Sequence, residues 1–376
     1  MNDAAFPDSI RREGDLSGET AAGEQTPAPE IEDCWFPLTI AQRGMWFAQR
    51  LGPDDAVFNL AEKAELFGEI DVEAFNRAVR HTELEATATR LRFIEIDGEP
   101  LQAVTRGLSG VLPHLDFSDA EDPQAAAVQW MEDEFRLRHD PLQDRLWATC
   151  LITVGKNHHI WYHRSHHILI DGFAGGLIAR RVAEVYNMLI RGETPELTPF
   201  GSLNDLVRED HAYRQSERFE AERNYWTTSF ADKPSPTSLA HYRPGLEGVL
   251  LRHTTMLAAG FVEDLRAAAR AAQGTFPQLM IAAFAIYYYR MTGAEDLVLG
   301  LPVTARTNRS LRRIPSMLAN AVPLRLRLKP ADSVADVVRR VGRGVREALR
   351  HQRYRYEDLG VISTCWVKGG TCSLRW

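Results

Sequence analysis

His163-Arg164-Ser165-His166-His167-Ile168-Leu169-Ile170-Asp171-Gly172 runs from two adjacent histidines through three apolar residues into an Asp-Gly turn. Five of the chain's 12 histidines, at positions 158, 159, 163, 166 and 167, crowd into this neighbourhood. Upstream, an apolar run over 146–154, a Gly155-Lys156-Asn157 turn and a strand over 160–168 predict a hairpin whose second strand carries the paired histidines. Downstream, Leu177, Ile178, Val182, Val185, Tyr186, Leu189 and Ile190 recur at helical spacing over 175–191, and Gly192 stops the run. Strand, turn and helix thus converge on Asp171-Gly172, a place suited to exposing a base.

Neighbouring residues of a strand face opposite sides, so only one of the two histidines can address a given cleft. With His167 facing it, His166 turns away and is structural. A neutral imidazole titrates near working pH and can take a proton from an attacking amine or hydroxyl. Asp171 can brace the loop by pairing with an arginine, and Gly172 lets the backbone pass close to a substrate while offering an N–H at a helix start. The plainer reading is a satisfied core histidine, the ordinary fate of a histidine in a buried strand. A shared metal fits poorly, because the two rings diverge and no HExxH pattern is present. Nucleophilic catalysis lacks a GxSxG elbow, and Gly172, Gly175 and Gly176 form neither a dinucleotide fingerprint nor a P-loop.

Outward from this stretch, Thr39 and Gln42 resemble a capping box ahead of a helix with Met45, Trp46, Phe47 and Leu51. Asp71 is placed to cap a second helix, and Asp97-Gly98 marks a hairpin. A helix is expected over 125–137. Residues 195–242 are polar and helical, with Trp226 and Phe230 as anchors. A second cycle follows: a strand over 249–257, helices over 261–272 and 278–291 with Pro277 in a first turn, a buried strand over 297–301, and an alternating strand through Val322, Leu324, Leu326 and Leu328. Ser333 is placed to cap a helix reaching His351. The order of elements recurs in part, which suggests two similar α/β lobes.

Composition bounds the rest. At 376 residues the chain exceeds one small core, and its 44% hydrophobic and 25% charged residues are those of a globular protein. A net charge of -7 without a basic cluster argues against nucleic acid. No apolar run reaches membrane-spanning length and no basic-then-apolar leader opens the chain, so a cytoplasmic location is expected, with no membrane partner. Cys34, Cys150, Cys365 and Cys372 are too scattered for a disulfide framework. Residues 1–33 are polar and Pro/Gly-rich, and are expected to be a disordered leader. Residues 361–376, with two cysteines, two tryptophans and a Gly-Gly pair, read as an atypical tail.

The pattern HHxxxDG, here His166-His167-Ile168-Leu169-Ile170-Asp171-Gly172, resembles the signature of the condensation domains of nonribosomal peptide synthetases, within the chloramphenicol-acetyltransferase-like superfamily. Leu38-Thr39-Ile40-Ala41-Gln42-Arg43-Gly44-Met45-Trp46 is similar to the family's first motif, and Arg80-His81 through Arg90-Leu91-Arg92-Phe93 to a divergent second one, with Thr89 where leucine is usual. Gly300 through Arg306 resembles the segment whose arginine pairs with the motif aspartate. Leu318 through Leu324 resembles the fifth motif, and His351-Gln352 through Leu359 the sixth.

The resemblance implies an α/β fold of the α+β sandwich type: two acetyltransferase-like lobes in a V-shaped pseudo-dimer, here residues 34–194 and 195–360, with a tunnel at their junction. The second lobe would be incomplete, because relatives continue past the sixth motif, and the missing strands would leave apolar surface exposed. The implied activity is amide formation between a carrier-tethered acyl or peptidyl thioester and a carrier-tethered aminoacyl acceptor. His167 would be the catalytic base, His166 its support, Asp171 the structural partner of Arg306, and Gly172 a backbone contributor. The chain itself would bind no cofactor and no metal. Donor and acceptor carrier domains would bring acyl and aminoacyl substrates on phosphopantetheine arms, and adenylation modules would charge them. Two alternatives share the motif: a stand-alone acyltransferase using acyl-CoA or an acyl carrier, and a remnant that docks carriers without turnover.

Overall fold

The computed structural model describes residues 35–51, 56–106, 113–197, 200–234, 239 and 254–362. The leader over 1–33, three of the four cysteines and the tail from 363 onward lie outside the described residues. The chain divides into two compact units. One comprises the residues through Ala212 together with Arg306–Leu318, and the other comprises Tyr213–Ala305 and the residues from Ala319 onward.

The first unit opens with β1 (Phe36–Pro37) and α1 (Ile40–Leu51), followed by β2 (Asn59–Phe67) and α2 (Val72–Glu85). The capping box forms as the sequence predicts: Thr39 N–H donates to Gln42 Oε1 at 2.9 Å, and Gln42 N–H donates to Thr39 Oγ1 at 3.2 Å. Asp71 Oδ1 likewise accepts from Ala74 N–H at 2.9 Å. A short 3-10 turn, Thr87–Arg90, leads to the hairpin of β3 (Leu91–Ile96) and β4 (Glu99–Val104). Asp97 and Gly98 turn it with φ of 52° and 80°, the two left-handed positions of a type I′ turn. Thr89, the departure noted in the second motif, is buried but satisfied, its Oγ1 donating to Ala86 O at 2.8 Å.

Next come β5 (His114–Asp116), α3 (Pro123–Arg136), β6 (Trp147–Gly155), β7 (His158–His166), α4 (Gly172–Ile190) and α5 (Leu203–Arg214). The strands form a four-stranded sheet in the order β2-β7-β6-β5, with β5 parallel to β6 and the other pairs antiparallel. A second sheet has the order β1-β4-β3. On one face of the larger sheet, Cys150, Ile152, Ile160 and Tyr162 pack against Ala127 and Met131 of α3. The opposite face carries Trp161, which meets Phe75 of α2 edge-on, with ring centroids 5.8 Å apart.

In the second unit, α6 (Glu217–Ser229), α7 (Ala259–Ala271) and α8 (Phe276–Thr292) precede an antiparallel pair, β8 (Asp296–Val303) and β9 (Asn320–Arg327). Helices α9 (Val334–Arg350) and α10 (Tyr356–Ile362) follow. Its core joins Leu279, Ala282 and Ala285 of α8 to Leu297, Leu324, Leu326, Val338 and Val341. A second cluster gathers around Trp226, which is 2% exposed, with Val322, Ala348 and Tyr354.

Two expectations are corrected. Of the strand expected over 249–257, residues 249–253 lie outside the described residues and 254–257 carry no strand. The strand expected over 160–168 ends at His166, where pairing with Asn59 stops, and residues 167–169 turn. Ile168, Leu169 and Ile170 mimic a continuing strand because all three are at most 1% exposed. Each such burial contributes about 1.5–3 kcal/mol, in a turn as well as in a strand.

Candidate functional site

His166 and His167 part ways at the end of β7. The His166 ring is 1% exposed. Its Nδ1 accepts the Ile168 N–H at 3.1 Å, which leaves Nε2 to donate to Gln49 Oε1 at 3.2 Å. Burial, then the neighbouring His167, His139 and Arg164, hold its pKa down at about 3. Both nitrogens are committed inside the fold, so this ring has no lone pair to offer a substrate.

His167 differs in each respect. It is half-buried, and its backbone N–H donates to Phe58 O at 2.7 Å, which prolongs the β2 edge by one bond. Its Nδ1 lies 3.0 Å from Ile170 O. A carbonyl oxygen only accepts, so Nδ1 carries the hydrogen and the neutral ring presents its lone pair at Nε2. The turn, and not strand alternation, aims this ring.

Asp171 is the N-cap of α4, and its two carboxylate oxygens have separate tasks. Oδ1 accepts Ala174 N–H at 2.9 Å. Oδ2 accepts Arg306 Nη1 at 2.7 Å and Leu318 N–H at 3.0 Å. Asp171 and Arg306 are each 2% exposed. The guanidinium also donates through Nη2 to Ser316 O at 2.7 Å, and it lies 4.6 Å from the centre of the Phe173 ring. Met317 N–H donates to Leu169 O at 3.0 Å, so the histidine loop is sewn to the returning segment Arg306–Leu318. A buried, hydrogen-bonded pair of this kind holds a loop in one geometry, and loss of one partner leaves the other charge uncompensated.

Gly172 is the first residue of α4. Helix geometry gives the N–H groups of Gly172 and Phe173 no intrahelical acceptor, and the helix start favours negative charge. A Cβ at Gly172 would meet Glu62 Oε1 at 4.0 Å, an ordinary contact. The structure therefore gathers His166, His167, Asp171, Gly172 and Arg306 at one corner of the first unit. Sequence reasoning missed Gln49, Phe58, Ser316 and Leu318 as partners of that corner. Phe58 and Ser316 act through backbone carbonyls, which leave no mark on residue type, and Leu318 lies in a quoted motif but acts through its N–H. No group of three His, Cys, Asp or Glu side chains among the described residues is placed to share a metal ion. Among them, too, no helix is long and apolar enough to cross a membrane.

This α/β fold is that of the chloramphenicol-acetyltransferase-like acyltransferases. Within that class, the model of the condensation domain family matches residues 34–368, and the chain belongs to that family of amide-forming enzymes. The match runs past Leu359, the last residue of the sixth motif. Among curated proteins, the chain is 39% identical over 331 residues to the dimodular nonribosomal peptide synthase of Bacillus subtilis, covering 88% of this chain and 14% of that one. It is 36% identical over 325 residues to the isonitrile lipopeptide synthase of Streptomyces coeruleorubidus, covering 86% of this chain and 22% of that one. The chain thus spans less than a quarter of either relative's length. Among solved structures, a variant of the starter condensation domain of rhizomide synthetase, in complex with C8-CoA and Leu-SNAC, superposes with a TM-score of 0.81 at 36% identity, covering 87% of this chain and 74% of that chain. The first condensation domain of the calcium-dependent antibiotic synthetase, with a substrate analogue, gives a TM-score of 0.81 at 34% identity, covering 90% and 80%.

Proposed function

We propose that this chain joins an acyl or peptidyl group, held as a thioester on the phosphopantetheine arm of one carrier domain, to the amine of an aminoacyl group held on another. The observation that carries the reading is the His167 Nδ1–H donated to Ile170 O, because it leaves the lone pair on Nε2 of the half-buried ring. The amine nitrogen attacks the thioester carbonyl carbon, the C–S bond breaks and an amide forms. His167 Nε2 takes the proton that the nitrogen sheds and returns it to the departing sulfur, so one N–H is exchanged for one S–H. His166 supports the loop, Asp171 and Arg306 fix it, and Gly172 supplies backbone at the start of α4. Adenylation modules would charge the two carriers.

The test is product formation by the purified chain with loaded donor and acceptor carriers. His167→Ala is expected to abolish the amide while leaving the circular-dichroism spectrum and thermal midpoint unchanged. Undiminished product from that variant removes the assignment. A second reading, acyl transfer directly from acyl-CoA, draws support from the likeness to the rhizomide starter domain in complex with C8-CoA. Turnover with acyl-CoA and no donor carrier selects it. Carrier binding without product from either donor selects a docking role without catalysis.

A further inference from the structure

Glu62 and His163 have no task in the steps above, yet they are built into the same corner. They stand directly opposite one another in the β2–β7 register. His163 Nε2 lies 3.3 Å from Glu62 Oε2. The His163 ring is buried and stacks on Trp147, with centroids 5.1 Å apart, and it leans on Trp161 at 5.5 Å. Trp147 is itself fixed, since its Nε1–H donates to the buried Glu83 Oε1 at 2.7 Å. His163 Nδ1 is buried without a hydrogen-bond partner, so Nε2 makes the ring's polar contact. The Glu62 side chain is itself 43% exposed, so it is the contact with the buried His163 ring, and not burial, that gives the carboxylate its preferred place.

That place is the first turn of α4. A Cβ at Gly175 would stand 2.7 Å from Glu62 Oε2 and 3.0 Å from Oε1, and one at Gly172 would stand 4.0 Å from Oε1. Positions 172 and 175 are one turn apart on one helix face, where a carboxylate meets the positive end of the helix dipole. Glycine inside a helix is otherwise a poor choice.

We propose that Glu62 and His163 are positioning residues for the acyl transfer. They seat the first turn of α4, and with it the Asp171-Gly172 corner and the His167 loop, and residue 175 is glycine because the Glu62 carboxylate occupies the place of a side chain. The inference rests on the acyl-transfer reading, and its experiment has arms that do not.

The experiment is a cycle of wild type, Glu62→Ala, Gly175→Ala and the double variant, with Glu62→Gln alongside. Amide hydrogen exchange over 166–178, the thermal midpoint, and kcat and KM for amide formation are measured. Glu62→Ala is expected to speed exchange across 166–178 and to lower kcat about tenfold with KM unchanged, the mark of an interaction that acts in the transition state. Gly175→Ala does the same by displacing the carboxylate, and the double variant is no worse than Glu62→Ala. Glu62→Gln, which keeps an acceptor facing His163, recovers most of the rate. The thermal midpoint changes sign: Gly175→Ala lowers it when Glu62 is present and raises it when position 62 is alanine, because alanine then shows its better helix propensity. A Gly175→Ala that raises the midpoint in both backgrounds, or a Glu62→Ala with wild-type exchange and kcat, overturns the proposal. A wild type that makes no amide defeats the acyl-transfer reading, while exchange and midpoint still decide the positioning claim.

Discussion

At the scale of single residues, the two adjacent histidines are chemically opposite. His166 is sealed in a neutral state, with a folded pKa of about 3 against an ordinary value of 6.5. The unfolded chain therefore binds a proton below pH 6.5 that the folded chain refuses until about pH 3. Stability from this group is complete above pH 6.5 and is lost as pH falls through that window, at about 1.4 kcal/mol per pH unit. His139, buried and depressed to about 4, slopes the same way between 6.5 and 4. Denaturant unfolding at pH 7, 5 and 4 is expected to show the loss, and His139→Gln to flatten it. A curve no flatter than wild type would remove His139 from the acid response. The Asp171–Arg306 pair sets a different expectation. Asp171→Ala removes the N-cap and strands a buried guanidinium, a cost of about 3–5 kcal/mol that shows first as lost solubility and a lower denaturation midpoint. A variant with wild-type stability and activity would count against the pair's role.

At the scale of elements, the sequence was legible wherever a local rule decides the geometry. Ser333 accepts Asp336 N–H through Oγ at 3.2 Å, and Asp336 Oδ2 accepts Ser333 N–H at 3.0 Å, so the start of α9 is written in two residues three apart. The Thr39–Gln42 box, the Asp71 cap and the Asp97-Gly98 hairpin follow from equally short-range chemistry. Ser333→Ala in the second unit and Asp71→Ala in the first are each expected to cost about 1 kcal/mol, read as a shift in denaturation midpoint. A midpoint unchanged in either would mean that packing alone defines that helix start. The end of β7 was not legible, because a buried turn and a buried strand select the same apolar residues. Nor were Gln49 and Glu62, whose contacts with His166 and with α4 join parts of the chain far apart in sequence. The HHxxxDG motif named the corner, while its bracing from α1 and β2 is a product of tertiary structure.

At the scale of the whole molecule, the surface of the second unit departs from what an isolated globular domain ordinarily presents. One face of α8 is buried through Leu279, Ala282, Ala285 and Tyr288. Met280, Phe284, Tyr287 and Met291, which recur at intervals of four, three and four, are 41%, 49%, 55% and 61% exposed. Such spacing places them in one stripe on the opposite side of the helix. A contiguous apolar stripe in water favours contact with any other apolar surface, and at high concentration that surface is supplied by other copies of the chain. The chain is therefore expected to self-associate as its concentration rises, and to do so more strongly at high salt, where the repulsion of a net charge of -7 is screened. Replacing Phe284 and Met291 together by lysine puts charge on the stripe without touching the buried face. Light scattering should then show a monodisperse species at concentrations where the wild type associates, with the circular-dichroism spectrum unchanged. Association of equal strength in the double variant would place the sticky surface elsewhere. Loss of the helical signal would mean instead that the stripe supports the fold.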